Sequence, residues 1–222
     1  MASRVRAQSR TDPAPSLSTK ERILREASQL IAQQGYHATT TRQIAERVGV
    51  RQPSLFHHFE SKAEIVAELL EWDLGQTLPF VEALVEERTS AAVRLYTYLL
   101  FDADHLMNAP YNLAGVFTED VMGDPAFTRW AIRRKQVHVC VSRIVEDGVR
   151  SREFIDVSPQ VISEAVAGVL IGVLTFHSGG RTMRPMLGEE IAALLVRGVL
   201  ADPTRLDAVR SESSEWLRGH VR

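Results

Sequence analysis

The chain has 222 residues, of which 45% are hydrophobic and 24% charged, so a disordered or fibrous protein is excluded and a globular one is expected. The single Cys140 excludes an internal disulfide and a multi-cysteine metal site, and it is typical of a reducing compartment, here the cytoplasm. The longest apolar run, Ala165 to Phe176, is shorter than the ~20 residues that span a bilayer, so we expect no membrane segment.

The formal net charge of −2 conceals an uneven distribution. Residues 1–60 contain nine Arg or Lys and five Asp or Glu, a net charge of +4, which leaves −6 for the remainder. A basic amino-terminal region favours contact with nucleic-acid phosphates, although a chance fluctuation of surface charge would give the same pattern. Residues 1–17, which carry Arg4, Arg6 and Arg10, are predicted to form a flexible basic arm.

Three capping boxes predict where the next helices begin. They are Ser18 with Glu21, Thr40 with Gln43, and Ser61 with Glu64. The apolar spacing that follows predicts helices over 18–34, 40–48 and 61–72, with a further short helix starting at Arg51 and carrying Pro53 in its first turn. Two short helices joined by a glycine-containing turn at Gly49 are typical of a helix-turn-helix.

Residues 19–70 resemble the DNA-binding domain of the tetracycline-repressor (TetR) family of transcriptional regulators. The markers are GYHATTTRQIAERVGV for the supporting helix and turn, and QPSLFHHFESK for the recognition helix and the entry to the fourth helix. The resemblance implies an all-α fold. It places a three-helix helix-turn-helix DNA-binding domain at 18–72 and a helical bundle for effector binding and dimerisation at 73–222.

The chemistry of the recognition helix agrees with that resemblance. Gln52 can pair bidentately with adenine and Arg51 with guanine, while Ser54 can bond a base or a phosphate. The resemblance implies base contacts from Arg42, Gln52, Pro53 and Ser54, and backbone contacts from Phe56, His57 and Lys62. The family usually has Tyr where Phe56 stands, so one phenolic hydrogen bond to phosphate is absent or replaced by His57. The predicted DNA-binding residues are Thr40, Thr41, Arg42, Arg51, Gln52, Pro53, Ser54, Phe56, His57 and Lys62.

Helical patterns continue beyond residue 72. They predict helices over 77–87, 90–108, 110–121, 125–151, 159–178, 188–201 and 203–217, and Asp124, Ser158 and Asp202 each cap a helix whose first residue is Pro. The segment over 159–178 is apolar almost all round and must be buried. It is either the central helix of the bundle or, as the resemblance implies, part of a homodimer interface formed with the helix over 188–201.

Aromatic and Met side chains concentrate between residues 96 and 138, which is typical of an apolar pocket between helices, although each could instead fill the core. The predicted ligand-binding residues are Tyr98, Phe101, His105, Phe117, Trp130 and Phe176. We expect the small-molecule effector to be an uncharged or weakly polar organic compound.

The function implied is a dimeric repressor that binds a palindromic operator in double-stranded DNA and is released by this effector. The resemblance also leaves activation, or dependence on a co-repressor, open. Alternatives are a helical interaction scaffold, or a small helical enzyme, that keeps a vestigial helix-turn-helix. Because no catalytic, cofactor or metal-binding motif occurs, the sequence predicts neither an enzyme nor a bound cofactor or metal.

Overall fold

The structure, a computed structural model, describes residues 17–178 and 187–220, including the side chains of all of these except residues 176–178. Apart from Leu17, the predicted basic arm lies outside the described residues. The described part forms ten α-helices: α1 (Thr19–Gln34), α2 (Thr41–Val48), α3 (Gln52–Phe56), α4 (Lys62–Glu86), α5 (Ala91–Met107), α6 (Glu119–Met122), α7 (Thr128–Arg150), α8 (Pro159–Ser178), α9 (Leu187–Val199) and α10 (Leu206–His220). The all-α prediction is confirmed. In these two ranges, every helix is too short or too polar to cross a bilayer.

The predicted caps hold the starts of the amino-terminal helices. The Ser18 hydroxyl accepts from the Glu21 backbone N–H at 3.2 Å, and the Glu21 carboxylate accepts from the Ser18 backbone N–H at 2.7 Å. The Ser18 hydrogen bonds lower the pKa of Glu21. Thr40 and Gln43 form the same reciprocal pair. Ser61 forms only one of the two capping-box hydrogen bonds, in which its hydroxyl accepts from the Glu64 backbone N–H at 3.2 Å. The Glu64 carboxylate accepts from the Glu60 backbone N–H at 2.5 Å instead of from that of Ser61.

The fourth helix is longer than predicted. The sequence predicts separate helices over 61–72 and 77–87, but α4 continues without a break from Lys62 to Glu86. Gly75 and Pro79 both weaken a helix interior. They are outweighed because the apolar face continues in register across them, with Leu70, Leu74, Leu78 and Val81 all buried. The predicted boundary between the two domains, after residue 72, therefore falls inside one continuous helix.

The helix predicted over 110–121 is wrong. The chain there forms a 3-10 turn at Leu113–Gly115 and the single turn α6. The Asn112 side chain accepts a hydrogen bond from the Ala114 backbone N–H, and the Asn112 backbone N–H donates to the Ser28 hydroxyl on α1 at 3.0 Å. These two bonds use polar groups that a regular helix would need for itself, so the segment stays a tight turn against α1.

The centre of the bundle is α5, whose residues 91–99 are all buried. It packs against α4, α7, α8, α9 and α10. The alternative in which the segment over 159–178 is the central helix is therefore wrong. One side of α8 meets the bundle, with Val166, Leu170 and Leu174 buried, and its other side is exposed.

The amino-terminal helices form a small core of their own that is continuous with the bundle. Ile23 on α1, Ile44 on α2, Leu55 on α3 and Ile65 on α4 are all fully buried in it, together with Phe59 just after α3. Leu55 and Phe59, four residues apart, anchor the short α3, whose remaining residues are exposed or half-buried. The opposite side of α3 is thus left free to face a partner.

Candidate nucleic-acid interface and effector cavity

A tight turn sets α3 against α2. Gly49 ends α2 with φ 76°, a left-handed conformation that residues with a Cβ rarely adopt. The Val50 backbone N–H donates to the Ala45 carbonyl at 3.0 Å and closes the turn. The next residue, Arg51, is the N-cap of α3 and has no side-chain capping bond, so its guanidinium is exposed at the start of the helix.

The predicted DNA-binding residues fall into two groups by exposure. Thr41, Ser54 and Lys62 are half-buried, and seven are exposed: Thr40, Arg42, Arg51, Gln52, Pro53, Phe56 and His57. The Gln52 side-chain amide donates to the Thr41 hydroxyl at 3.1 Å and so joins the starts of α2 and α3. Arg42 forms an exposed ion pair with Glu46 at 3.0 Å, one turn along α2. Exposed hydrogen-bonding side chains at the starts of two crossing helices are the groups that read base edges and hold phosphates.

Phe56 differs from the polar residues around it because its ring is apolar and 44% exposed. Without a hydroxyl it can offer a DNA duplex only apolar contact, to sugar atoms or to a thymine methyl group. The neighbouring His57 is the C-cap of α3 and is exposed. Its exposed imidazole can donate or accept a hydrogen bond, which the Phe56 ring cannot.

Lys62 is more enclosed than a residue dedicated to phosphate contact. Its ammonium donates to the backbone carbonyls of Tyr36, at 2.5 Å, and Thr39, at 2.6 Å, and it lies 4.1 Å from the centre of the Tyr36 ring. Burial lowers the pKa of Lys62. The Lys62 ammonium is thus engaged by two carbonyl oxygens and an aromatic ring, and it connects the start of α4 to the turn before α2.

The predicted ligand-binding residues do not come together in one place. Tyr98 and Phe117 line a cavity of about 70 Å³ between α4, α5, α7 and α8. Phe101 and His105 line a separate open groove beside Trp72 and α10. Trp130 lines neither space, and its indole N–H donates to the Glu71 carboxylate at 3.2 Å. The side chain of Phe176 lies outside the described residues.

The cavity holds a polar cluster that the sequence analysis missed. Asp73 of α4 and Asp102 of α5 are only 6% and 5% exposed, yet both line it. The Asp102 carboxylate accepts from the Thr77 hydroxyl at 2.9 Å and from the Tyr98 hydroxyl at 3.2 Å. Burial and the nearby Asp73 charge raise the pKa of Asp102 to about 7. Burial also raises the pKa of Tyr98.

Asp73 is less well satisfied than Asp102. Its Oδ1 lies 3.4 Å from Nε2 of His105, but neither atom makes a hydrogen bond within the described residues. The remaining lining is mostly apolar, with Leu106, Leu170 and Leu174 among its members. A signal for this cluster was present in the sequence, because Asp73 and Thr77, four residues apart, interrupt the apolar face of α4.

A larger groove along α7 and the start of α8 adjoins the cavity. The groove measures about 850 Å³ and shares Arg134 and His138 with the cavity. Arg134 donates to the Phe117 carbonyl at 3.4 Å, and His138 lies 3.3 Å from the Glu164 carboxylate. Within the described ranges, no set of three His, Cys, Asp or Glu side chains is arranged to hold a metal ion.

Comparison with known proteins agrees with this geometry. The family described as bacterial regulatory proteins of the tetR family matches residues 23–69. The transcriptional repressor KstR2 of Mycolicibacterium smegmatis is 24% identical over 191 residues, which are 84% of this chain and 93% of KstR2. The crystal structure of Mycobacterium smegmatis AmtR superposes with a TM-score of 0.77 at 25% identity, covering 92% of this chain and 96% of AmtR. AibR, crystallised with isovaleryl coenzyme A and operator DNA, superposes with a TM-score of 0.66 at 16% identity, covering 82% of this chain and 98% of AibR.

Proposed function

Since the chain belongs to the TetR family of bacterial transcriptional regulators, we propose that it is a dimeric repressor that binds a palindromic operator and is released by a small organic molecule. The observation that carries this proposal is the exposed face at the starts of α2 and α3, where Arg42, Arg51 and Gln52 project beside the exposed Phe56. Its place of action would be the cytoplasm, where operator DNA lies.

The exposed side of α8 and α9 supports a homodimer. Val161 is 64% exposed and Leu194 is 72% exposed. Between the ends of α8, Ala165, Gly168 and Gly172 continue the exposed side, and a Cβ built on either glycine meets no atom within 4 Å. Such a strip of apolar and small residues lets a second copy approach closely and removes the apolar surface from water. A two-fold axis there would present two α3 helices to half-sites about one DNA turn, ~34–36 Å, apart.

Two physical connections could carry a signal from the cavity to the DNA-binding helices. The first is α4, which holds Asp73 in the cavity wall and, about three turns away, Lys62 against the carbonyls of Tyr36 and Thr39. The second is the turn that carries Phe117 in the cavity wall and Gly115 against α1, where a Cβ would lie 2.6 Å from the Ala32 backbone nitrogen.

Release then requires only that a ligand bind more tightly to one position of α4, or of the turn that carries Gly115 and Phe117, than to another. A ligand that fits the cavity better when α4 is displaced would shift the spacing of the two recognition helices. A coupling free energy of about 1–3 kcal/mol would weaken operator binding some 5–150-fold. The AibR structure supports separate effector and DNA sites in this fold, because that protein holds a small molecule and operator DNA in one complex.

The proposal is tested by selecting bound sequences from a pool of random DNA duplexes. We expect the wild-type chain to enrich a palindrome whose half-site centres are about one helical turn apart. The matched protein is the double variant Arg51→Ala, Gln52→Ala, in which two exposed side chains are removed and the buried core is untouched. It should enrich no common sequence. Equal enrichment by both proteins, or none by the wild type, would contradict the proposal and favour a scaffold or enzyme with a vestigial helix-turn-helix.

A further inference from the structure

We infer that the cavity recognises a primary amine, whose ammonium head binds the Asp73 carboxylate while its apolar body extends past Arg134 and His138 into the groove on α7. This inference rests on the proposed function, since it names the class of effector for the same site. It also revises the effector expected from the sequence, which was uncharged or weakly polar. The reason is that two buried carboxylates, Asp73 and Asp102, line the cavity.

Asp73 has a buried carboxylate oxygen without a hydrogen-bond partner among the described residues. A buried carboxylate ordinarily has partners for its lone pairs, because leaving one without a partner costs about 1–3 kcal/mol or more. The Asp73 side chain is 92% buried, and its Oδ1 faces His105 Nε2 at 3.4 Å without forming a hydrogen bond. An N–H donor entering the cavity would satisfy this oxygen, whereas a carboxylate or carbonyl oxygen would be repelled by it.

The charge around the cavity also favours a cation. Two carboxylates, Asp73 and Asp102, lie in its wall. In the part of the chain that the structure describes, the His105 imidazole is the only basic group within 4 Å of either carboxylate. Arg134 also lines the cavity, but its guanidinium is engaged by the Phe117 carbonyl at 3.4 Å and lies 5.7 Å from the centre of the Phe117 ring. A cation therefore gains more beside the Asp73 carboxylate than a neutral or anionic group would.

The size of the cavity favours a small ammonium group. A volume of about 70 Å³ is roughly that of two water molecules, which admits an ammonium group and the first methylene of its chain. A bulky tertiary or quaternary nitrogen would need the helices to part. The rest of the ligand must lie outside the cavity, and the adjoining groove of about 850 Å³ offers the apolar side chains of Met122, Ala131 and Val139. The site thus fits a primary amine on an apolar body.

The test uses the full-length protein and three series of probes of equal chain length: butyl-, hexyl- and octylammonium, the corresponding alcohols, and the corresponding carboxylates. Binding is measured by isothermal titration calorimetry. We expect the ammonium series to bind at least about ten-fold more tightly than either other series, and affinity to rise with chain length as more methylenes meet the groove.

Asp73→Asn keeps the shape of the side chain and removes its charge, and it should weaken ammonium binding about ten-fold or more. The matched control is Asp104→Asn, which removes an exposed carboxylate from the same region of α5 and should leave binding unchanged. Preferential binding of the alcohols or carboxylates, binding by none of the three series, or ammonium affinity unaffected by Asp73→Asn would each overturn the inference.

Operator release is measured in parallel, because it tests the proposed function separately. Asp73-dependent binding of ammonium that leaves the protein on DNA supports the amine site and contradicts effector-driven release. Loss of sequence-specific DNA binding in the absence of any probe contradicts the proposed function and leaves the calorimetric result for the site unaffected.

Discussion

The Gln52 side-chain amide donates a hydrogen bond to the Thr41 hydroxyl across 3.1 Å, so two residues predicted to meet DNA are already joined before DNA is present. The bond uses one of the two amide N–H groups. The second N–H and the carbonyl oxygen remain, and these are the two groups that pair with N7 and N6 of adenine. The Thr41 hydroxyl therefore fixes the amide and leaves free the two groups that a base contact would need.

Gln52→Ala should abolish discrimination at one base-pair position of each half-site, at a cost of about 1–3 kcal/mol. For operators substituted at the other positions, Gln52→Ala should lower the affinity by the same factor as for the parent operator. Thr41→Val should cost less, because the amide remains but loses its orienting partner. Fluorescence anisotropy on a set of singly substituted operators measures both effects, with Gln76→Ala, an exposed glutamine on α4, as the control. Equal losses for Gln52→Ala on every operator would mean that Gln52 does not read a base.

Lys62→Met should lower the stability of the protein as well as its affinity for DNA. The variant removes the ammonium that donates to the Tyr36 and Thr39 carbonyls, and a charged hydrogen bond of this kind contributes about 1.5–3 kcal/mol. The comparison is Lys20→Met, which breaks an ion pair with Glu68 whose two side chains are each 45% exposed and should change stability by less than about 1 kcal/mol. The midpoint of thermal unfolding distinguishes them. Equal midpoints for the two variants would show that Lys62 is not a structural anchor.

Gly115→Ala should displace the turn from α1 and weaken operator binding. A Cβ at this position would lie 2.6 Å from the nitrogen and 2.8 Å from the Cα of Ala32, and both atoms belong to helix backbone that cannot yield locally. Overpacking of this kind costs about 1–3 kcal/mol. Gly219→Ala places the same methyl group in open space on α10 and should be neutral or slightly stabilising. Thermal melts and operator affinity of both variants test the prediction, and an undisturbed Gly115→Ala protein would contradict it.

Asp102 should make the protein less stable as the pH rises toward neutrality. The pKa of Asp102 is raised to about 7 in the folded chain, against about 3.9 in the unfolded chain. Below about pH 4 the carboxyl is protonated in both states. Between pH 4 and 7 it ionises in the unfolded chain but stays protonated in the fold, so the free energy of unfolding falls as the pH rises. Asp102→Asn removes this loss of stability. The free energy of unfolding of the variant, relative to wild type, should rise between pH 4 and 7 and then level off.

Urea unfolding at several pH values measures this difference, with the exposed Asp156→Asn as the control. A difference that stays constant across the range, or that falls with rising pH, would contradict the raised pKa of Asp102.

Leu194→Glu should separate the dimer without unfolding the chain. The Leu194 side chain is 72% exposed in the single chain, so a charge there costs little until a second copy covers it. Leu17→Glu changes an exposed leucine just before α1, far along the chain from α8 and α9, and should leave the dimer intact. Sedimentation velocity gives the mass of each protein. Dimeric Leu194→Glu, with the same concentration dependence as wild type, would place the interface elsewhere.

The sequence predicted the amino-terminal helices because their signals are local. Capping residues, Gly49 and the apolar spacing each act within a few residues, and the helices observed begin within one residue of those positions. The break predicted between residues 72 and 77 is absent, although Gly75 and Pro79 both disfavour a helix interior locally. Burial of the apolar face of α4 against other helices outweighs that preference.

The candidate pocket was harder to predict because it depends on how four helices meet. Tyr98 and His105 lie close together on a helical wheel, yet Tyr98 bonds Asp102 inside the cavity while His105 stacks on the Trp72 ring at 4.2 Å. No spacing within α5 distinguishes these two environments. The missed carboxylates were visible as polar interruptions of apolar faces, but only the packing of α4 on α5 brings Asp73 and Asp102 into the same cavity.

The central claim, that this regulator reads DNA as a symmetric dimer through α3, is tested most directly by its affinity for a selected duplex and for a scrambled duplex of equal length at the same salt concentration. We expect the selected duplex to bind at least about 10³-fold more tightly, with two chains on each duplex. Equal affinity for the two duplexes, or one chain on each selected duplex, would contradict the claim.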